Sequence, residues 1–120
     1  MAKYLLHFFA FLLIIPSAFG QVSIDHWESP ILGTDAFFYW NGNTEPNSNW
    51  RSINFVPSNW NLGNGGFGYG DGDDQTVLQG ANSVMVRRSF NLADKNDVKA
   101  VIFHLDYDDG FVAYLNGKQI

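Results

Sequence analysis

Two acidic clusters carry the clearest chemical potential in this chain. Asp71, Asp73 and Asp74 close a stretch rich in glycine, and Asp106, Asp108 and Asp109 form a second group further on. Carboxylates on such a loop can supply oxygen ligands to Ca²⁺, which takes six to eight oxygens. The EF-hand pattern is not met, because no glutamate lies twelve positions along from Asp71. A single glycine-rich stretch also differs from tandem calcium-binding β-helix repeats. The competing reading is turn chemistry, in which Asp side chains bond nearby backbone N–H groups. Turn chemistry leads for both clusters. Structural calcium is the alternative, with Asp71, Asp73 and Asp74 as its ligands.

Acid and base pairs for sugar hydrolysis need carboxylates about 5 to 10 Å apart. Asp108 and Asp109 are adjacent, so in an extended strand their side chains point to opposite faces. Glu28 and Glu45 are the only glutamates, and nothing in the sequence ties them to the aspartates. His7 falls in the leading apolar segment, and His26 and His104 lack ligand spacing. No Ser-His-Asp order supports a nucleophile. The residues are therefore expected to be non-catalytic.

The run Gly63-Asn64-Gly65-Gly66-Phe67-Gly68 matches the spacing of a dinucleotide fingerprint. That motif must follow a strand and open a helix so that phosphate meets the helix N-terminus. Here more glycines and acids follow, and acids repel phosphate. The aromatic residues suit a different ligand. Trp27, Trp40, Trp50, Trp60 and Tyr69 present flat faces among asparagines and aspartates, a mixture that stacks on sugar rings and bonds their hydroxyls. Trp60 and Tyr69 flank the glycine-rich stretch and are the best candidates for exposed rings. The alternative is that these rings fill a core.

Composition narrows the field. The chain opens Met1-Ala2-Lys3, runs apolar from Tyr4 to Ile15, and continues Pro16-Ser17-Ala18-Phe19-Gly20. This is the pattern of a cleavable signal peptide over 1–20, exporting the remainder to the cell surface or beyond. The apolar run is shorter than the roughly 20 residues of a membrane-spanning helix, and no later stretch could span. Removing Lys3 leaves six basic against twelve acidic residues, a formal charge of −6. That balance argues against nucleic acid, whose binding needs a basic surface. The chain has no cysteine, so disulfides cannot support the fold.

Residues 21–120 are one domain by size. Ala36 to Trp40 reads as a strand closed by the turn Asn41-Gly42-Asn43. Trp50 to Phe55 is a weaker strand candidate. Leu62 to Asp74 contains six glycines, which excludes a helix and predicts a long loop. Val84, Val86 and Phe90 alternate with polar or larger neighbours, and Arg88 on the apolar side predicts a bulge, an edge or a paired arginine. Val98 to Leu105 and Phe111 to Leu115 read as further strands, the latter central because both faces are apolar. Asn116-Gly117 predicts a hairpin. A returning strand is barely begun at Lys118-Gln119-Ile120, which predicts a sandwich incomplete at its C-terminus.

Several pieces in order resemble a known module. They are Trp50-Arg51, Trp60, the run Gly65-Gly66-Phe67-Gly68-Tyr69-Gly70-Asp71-Gly72-Asp73-Asp74-Gln75-Thr76, Val84-Met85-Val86-Arg87-Arg88-Ser89-Phe90, Leu105-Asp106-Tyr107-Asp108-Asp109-Gly110 and Val112-Ala113-Tyr114-Leu115-Asn116-Gly117. The chain from Trp27 to Ile120 is similar to the jelly-roll module of secreted bacterial proteins like spore coat protein H, often carrying lamin-tail domains. The resemblance implies an all-β, antiparallel, galactose-binding-like β-sandwich. It implies an accessory extracellular role, with carbohydrate or a cell-surface glycan as partner and downstream domains of the same polypeptide as neighbours. It implies no kinase activity here, because none of the kinase-like domain's residues are present. A larger secreted enzyme or kinase-like coat protein with its chemistry downstream is the alternative.

Overall fold

The computed structural model describes residues 23–120. The expected signal peptide, 1–20, lies outside them. The fold is all-β, and no helix occurs among the described residues, so none is long and apolar enough to cross a membrane. Among the described residues seven strands form three small sheets. They are β1 (Ala36–Asn41), β2 (Asn61–Asn64), β3 (Phe67–Gly68), β4 (Thr76–Val77), β5 (Val84–Arg87), β6 (Tyr114–Leu115) and β7 (Lys118–Gln119).

The central sheet has the order β2-β1-β5, antiparallel throughout. Strand β1 forms because four consecutive aromatic residues suit a pleated, half-buried surface. Tyr39 stands opposite Asn61 on one side and Val86 on the other. Alternation then sorts the side chains. Phe37, Tyr39, Asn41 and Asn61 share one face, and Phe38, Trp40, Leu62 and Arg87 share the other.

Each face has its own cover. On the first, the parallel pair β3-β4 packs through Phe67, whose ring lies 5.3 Å from Tyr39 and 6.2 Å from Phe37. Buried Thr76 fastens this layer, its hydroxyl donating to the Asn64 carbonyl at 2.7 Å. On the second face, Trp60 sits among Trp40, Trp50 and Phe55 at centroid separations of 5.7–6.1 Å. The hairpin β6-β7 joins this cluster through Tyr114, 6.1 Å from Trp50 and capped by the Arg51 guanidinium at 4.9 Å. Among the described residues the buried hydrophobic core is thin: Trp60, Leu78 and Ala81.

Two arginines lock loops onto the central sheet. Arg87 donates to the carbonyls of Trp50 and Ser52 and lies over the Phe55 ring at 5.3 Å. Arg88 takes the paired option expected for it: it meets Asp35 at 3.2 Å, donates to the Ala36 carbonyl and covers Phe37 at 5.5 Å. Arg87→Ala is expected to lower stability by about 1.5–3 kcal/mol, the scale of hydrogen bonds to a charged group. Arg87→Lys should recover only part, since an ammonium lacks the planar fork. Urea unfolding of the three proteins checks the order.

Four sequence expectations change. Trp50 to Phe55 is a series of tight turns, with Ser52 N–H donating to Asn49 and Phe55 N–H to Ser52. Local bonds and Arg87 satisfy its backbone, leaving no need for a ladder. The glycine-rich stretch is not loop throughout, because β3 and the end of β2 lie within it. Val98 to Leu105 forms no strand among the described residues, and Val101 is 76% exposed. Its β-branched residues favour extended backbone, but a strand exists only where a neighbour completes the hydrogen bonds. Phe111 to Leu115 is likewise not central: only Tyr114 and Leu115 pair, and only with β7, while Phe111 and Val112 are exposed.

The hairpin signal, by contrast, is realised. Asn116 and Gly117 have φ of 52° and 83° between β6 and β7. Positive φ at both central residues is what a type I′ turn requires.

Candidate functional site

The glycine-rich stretch brings its three aspartates together. One carboxylate oxygen each from Asp71, Asp73 and Asp74 lies within 4.8 Å of the others. Positioning comes from both sides. The β3-β4 pairing closes the loop, with Thr76 N–H on the Gly66 carbonyl at 2.9 Å and Leu78 N–H on Gly68 at 2.8 Å. Asp74 lies against Gly68, where any side chain would overlap its carboxylate.

The three charges then divide protons unequally. A hydrogen bond from Asp73 holds the Asp71 carboxyl below its ordinary range. The same bond, with the Asp71 charge, pushes Asp73 up. Asp74 is pushed up first by loss of hydration and then by its two acidic neighbours. Like charges at this spacing favour keeping a proton in the group. A divalent cation would replace that proton.

Three oxygens are fewer than calcium's six to eight. Loop carbonyls and water would have to complete the shell. Calcium accepts only ionised carboxylates. Because Asp73 and Asp74 release their protons at higher pH than an ordinary carboxylate, calcium affinity should weaken as pH falls, and should begin to do so above the ordinary carboxylate range. Calcium titrations at several pH values check the sign.

The second acidic group does not converge in this way. Asp108 accepts the Asp109 N–H at 2.9 Å, and its carbonyl accepts from Gly110 at 3.0 Å. Asp109 takes φ of 67°. This is the turn chemistry expected of it. His26 lies between Asp25 at 3.0 Å and Glu28 at 3.2 Å on an exposed segment. Bonds to Glu28 and then Asp25 raise its pKa. His104 is exposed and apart from this pair.

The aromatic candidates separate into two groups, with Trp27 and Tyr69 exposed and Trp40, Trp50 and Trp60 half-buried or buried. Trp60 is not the exposed ring expected: it is 8% exposed and ringed by other aromatics, so it fills the core. Trp40 and Trp50 are half-buried beside it, and the Trp40 indole N–H is spent on the Thr44 carbonyl at 2.8 Å. Tyr69 is different: it is 69% exposed and stands two residues before Asp71. An open aromatic ring beside clustered carboxylates joins the two site candidates of the sequence on one loop.

A further concavity was not read from the sequence. A cleft of about 220 Å³ is lined by Tyr39, Asn41, Asn61, Val77, Leu78 and Gln79. Asn41 Nδ2 donates to the Gln79 carbonyl at 3.3 Å. Asn41 Oδ1 is the only buried side-chain polar atom without a partner among the described residues, a situation that costs about 1–3 kcal/mol. These residues are far apart in sequence and ordinary in type. Only the β1-β2 register and the packing of β4 bring them together.

The fold and these sites define an all-β chain with an acidic glycine-rich loop. Comparison with protein-family models, with curated proteins and with solved structures finds no match.

Proposed function

We propose that this chain is an exported, non-catalytic accessory module that binds carbohydrate at the cell surface. In this reading it is a jelly-roll, galactose-binding-like sandwich related to the modules of spore coat protein H-like proteins. The observation that carries the ligand class is the exposed Tyr69 ring on the loop of Asp71, Asp73 and Asp74. Aromatic faces stack on the apolar face of a sugar, and carboxylates accept its hydroxyls. Calcium at the three aspartates would hold the loop in shape, a role that suits a chain without cysteine.

A glycan array on the chain, with and without calcium, tests the proposal. Binding is expected, and Tyr69→Ala is expected to weaken it at least tenfold while leaving the far-UV spectrum unchanged. Flat signals would remove carbohydrate as the ligand. For the metal, added calcium should raise the melting temperature by several degrees in the chain and not in Asp73→Asn. A melting curve indifferent to chelator removes the calcium.

One observation favours a second reading, in which the module belongs to a larger secreted enzyme or kinase-like coat protein. Val101, Ile102, Phe103 and Val112 are all more than half exposed. Further strands of the same polypeptide would cover them. Coding sequence continuing in frame into a kinase-like or hydrolase domain supports this reading.

A further inference from the structure

We propose that the cleft between β1-β2 and the chain leaving β4 is a second sugar subsite, sized for one polyhydroxylated ring. The inference rests on the carbohydrate reading above but places the recognition elsewhere. Three observations carry it.

The first is chemical. Asn41, Asn61 and Gln79 line the cleft. An amide offers both a donor N–H₂ and an acceptor carbonyl, and a sugar hydroxyl needs one of each. Charged groups are absent from the lining, so a neutral ligand is favoured over an ion.

The second is size and shape. The volume of about 220 Å³ equals that of about seven waters at roughly 30 Å³ each. That suits a single pyranose and is too small for most drug-sized ligands, whose pockets start at about 300 Å³. Val77 and Leu78 complete the lining, most of whose exposed surface is polar.

The third is the unpartnered acceptor. Asn41 Oδ1 has no donor, although its own Nδ2 is engaged by Gln79. The terminal torsion of asparagine is broad. Oδ1 is itself buried, so reaching it means turning the amide and giving up the Nδ2 bond to the Gln79 carbonyl; ligand hydroxyls would then donate to both oxygens. The wall is thus incomplete in its hydrogen bonding until such a group enters. Register explains why the amides face one space: Tyr39 and Asn61 are directly opposed, and Asn41 lies two residues on along the same face.

The test is amide NMR on the chain with three probes, the methyl glycosides of galactose, glucose and mannose, and with tetrahydropyran as the same ring without hydroxyls. At least one glycoside should shift the side-chain amide signals of Asn41, Asn61 and Gln79, and tetrahydropyran should not. Asn61 and Gln79 are exposed, so Asn61→Ala and Gln79→Ala should leave the rest of the spectrum intact while weakening binding at least tenfold. Tyr69→Ala should leave this binding unchanged. Glycoside shifts that gather at Tyr69 and survive both amide variants overturn the subsite and keep the carbohydrate reading. So does silence toward every glycoside when the glycan array still shows binding. Silence in both experiments overturns both.

Discussion

Trp60→Ala is expected to destabilise the chain by about 3–5 kcal/mol, the range for removing a large buried aromatic. Trp60 is the ring that Trp40, Trp50 and Phe55 all contact. Its removal leaves a cavity that three neighbours share and none can fill without leaving its own position. The effect is large against what the domain has in reserve. Domains of this size are stable by only about 5–15 kcal/mol, and among the described residues the buried core holds just two other hydrophobic side chains, Leu78 and Ala81. The hairpin β6-β7 should loosen with it, because Tyr114 reaches the sheet through Trp50. Urea unfolding followed by far-UV circular dichroism measures the loss. Tyr69→Ala is the control. Its ring is mostly in solvent, so a change within about 0.5 kcal/mol is expected. Loss of sugar binding in Trp60→Ala would therefore report unfolding, and Tyr69 is the residue that interrogates stacking.

Gly65→Ala is expected to cost about 3 kcal/mol, the upper end for overpacking. Gly65 is buried, and its backbone lies so close to the Gly33 carbonyl that a methyl group would overlap the oxygen. The obstacle is main chain, so no rotamer change relieves it. Gly65 N–H also donates to the Asp35 carbonyl at 2.9 Å, and Asp35 holds Arg88 at 3.2 Å. Separating these segments would strain the start of β1 and the latch on β5 together. The glycine-rich loop follows directly, so calcium affinity should fall as well. Gly70→Ala offers the contrast: nothing lies near its added carbon, although its φ of 101° disfavours a side chain. A melting comparison should show a larger drop for Gly65→Ala.

Those two expectations show how unevenly the structure could be read in advance. Strand β1, the alternation that becomes β5 and the Asn116-Gly117 hairpin are written locally, whereas the choice among bulge, edge and pairing for Arg88 waits on Asp35, more than fifty residues away. The first three each depend on side-chain alternation or backbone φ over a few residues. The glycines of 62–74 excluded a helix for the same reason, but several of them work as close contacts rather than as hinges. Gly65 is one, and its partner is more than thirty residues away. The aromatic candidates were legible as a set and not as individuals. Burial sent Trp60 inward and left Tyr69 outside, a difference that residue type does not contain.

What the sequence alone determined is the all-β character, the acidity, the lack of cysteine, and the grouping of Asp71, Asp73 and Asp74 within one loop. All are properties of composition or of residues close along the chain. Tertiary structure decided the rest. It chose which apolar segments pair, giving β1 two neighbours and Val98 to Leu105 none among the described residues. It let the three carboxylates converge, left the Asp108 group to its turn, and assembled the amide cleft from three separate stretches. The reason is that hydrogen bonding between strands and the burial of a ring are both completed by partners remote in sequence. A local pattern can prepare a residue for either, but only the folded neighbour supplies it.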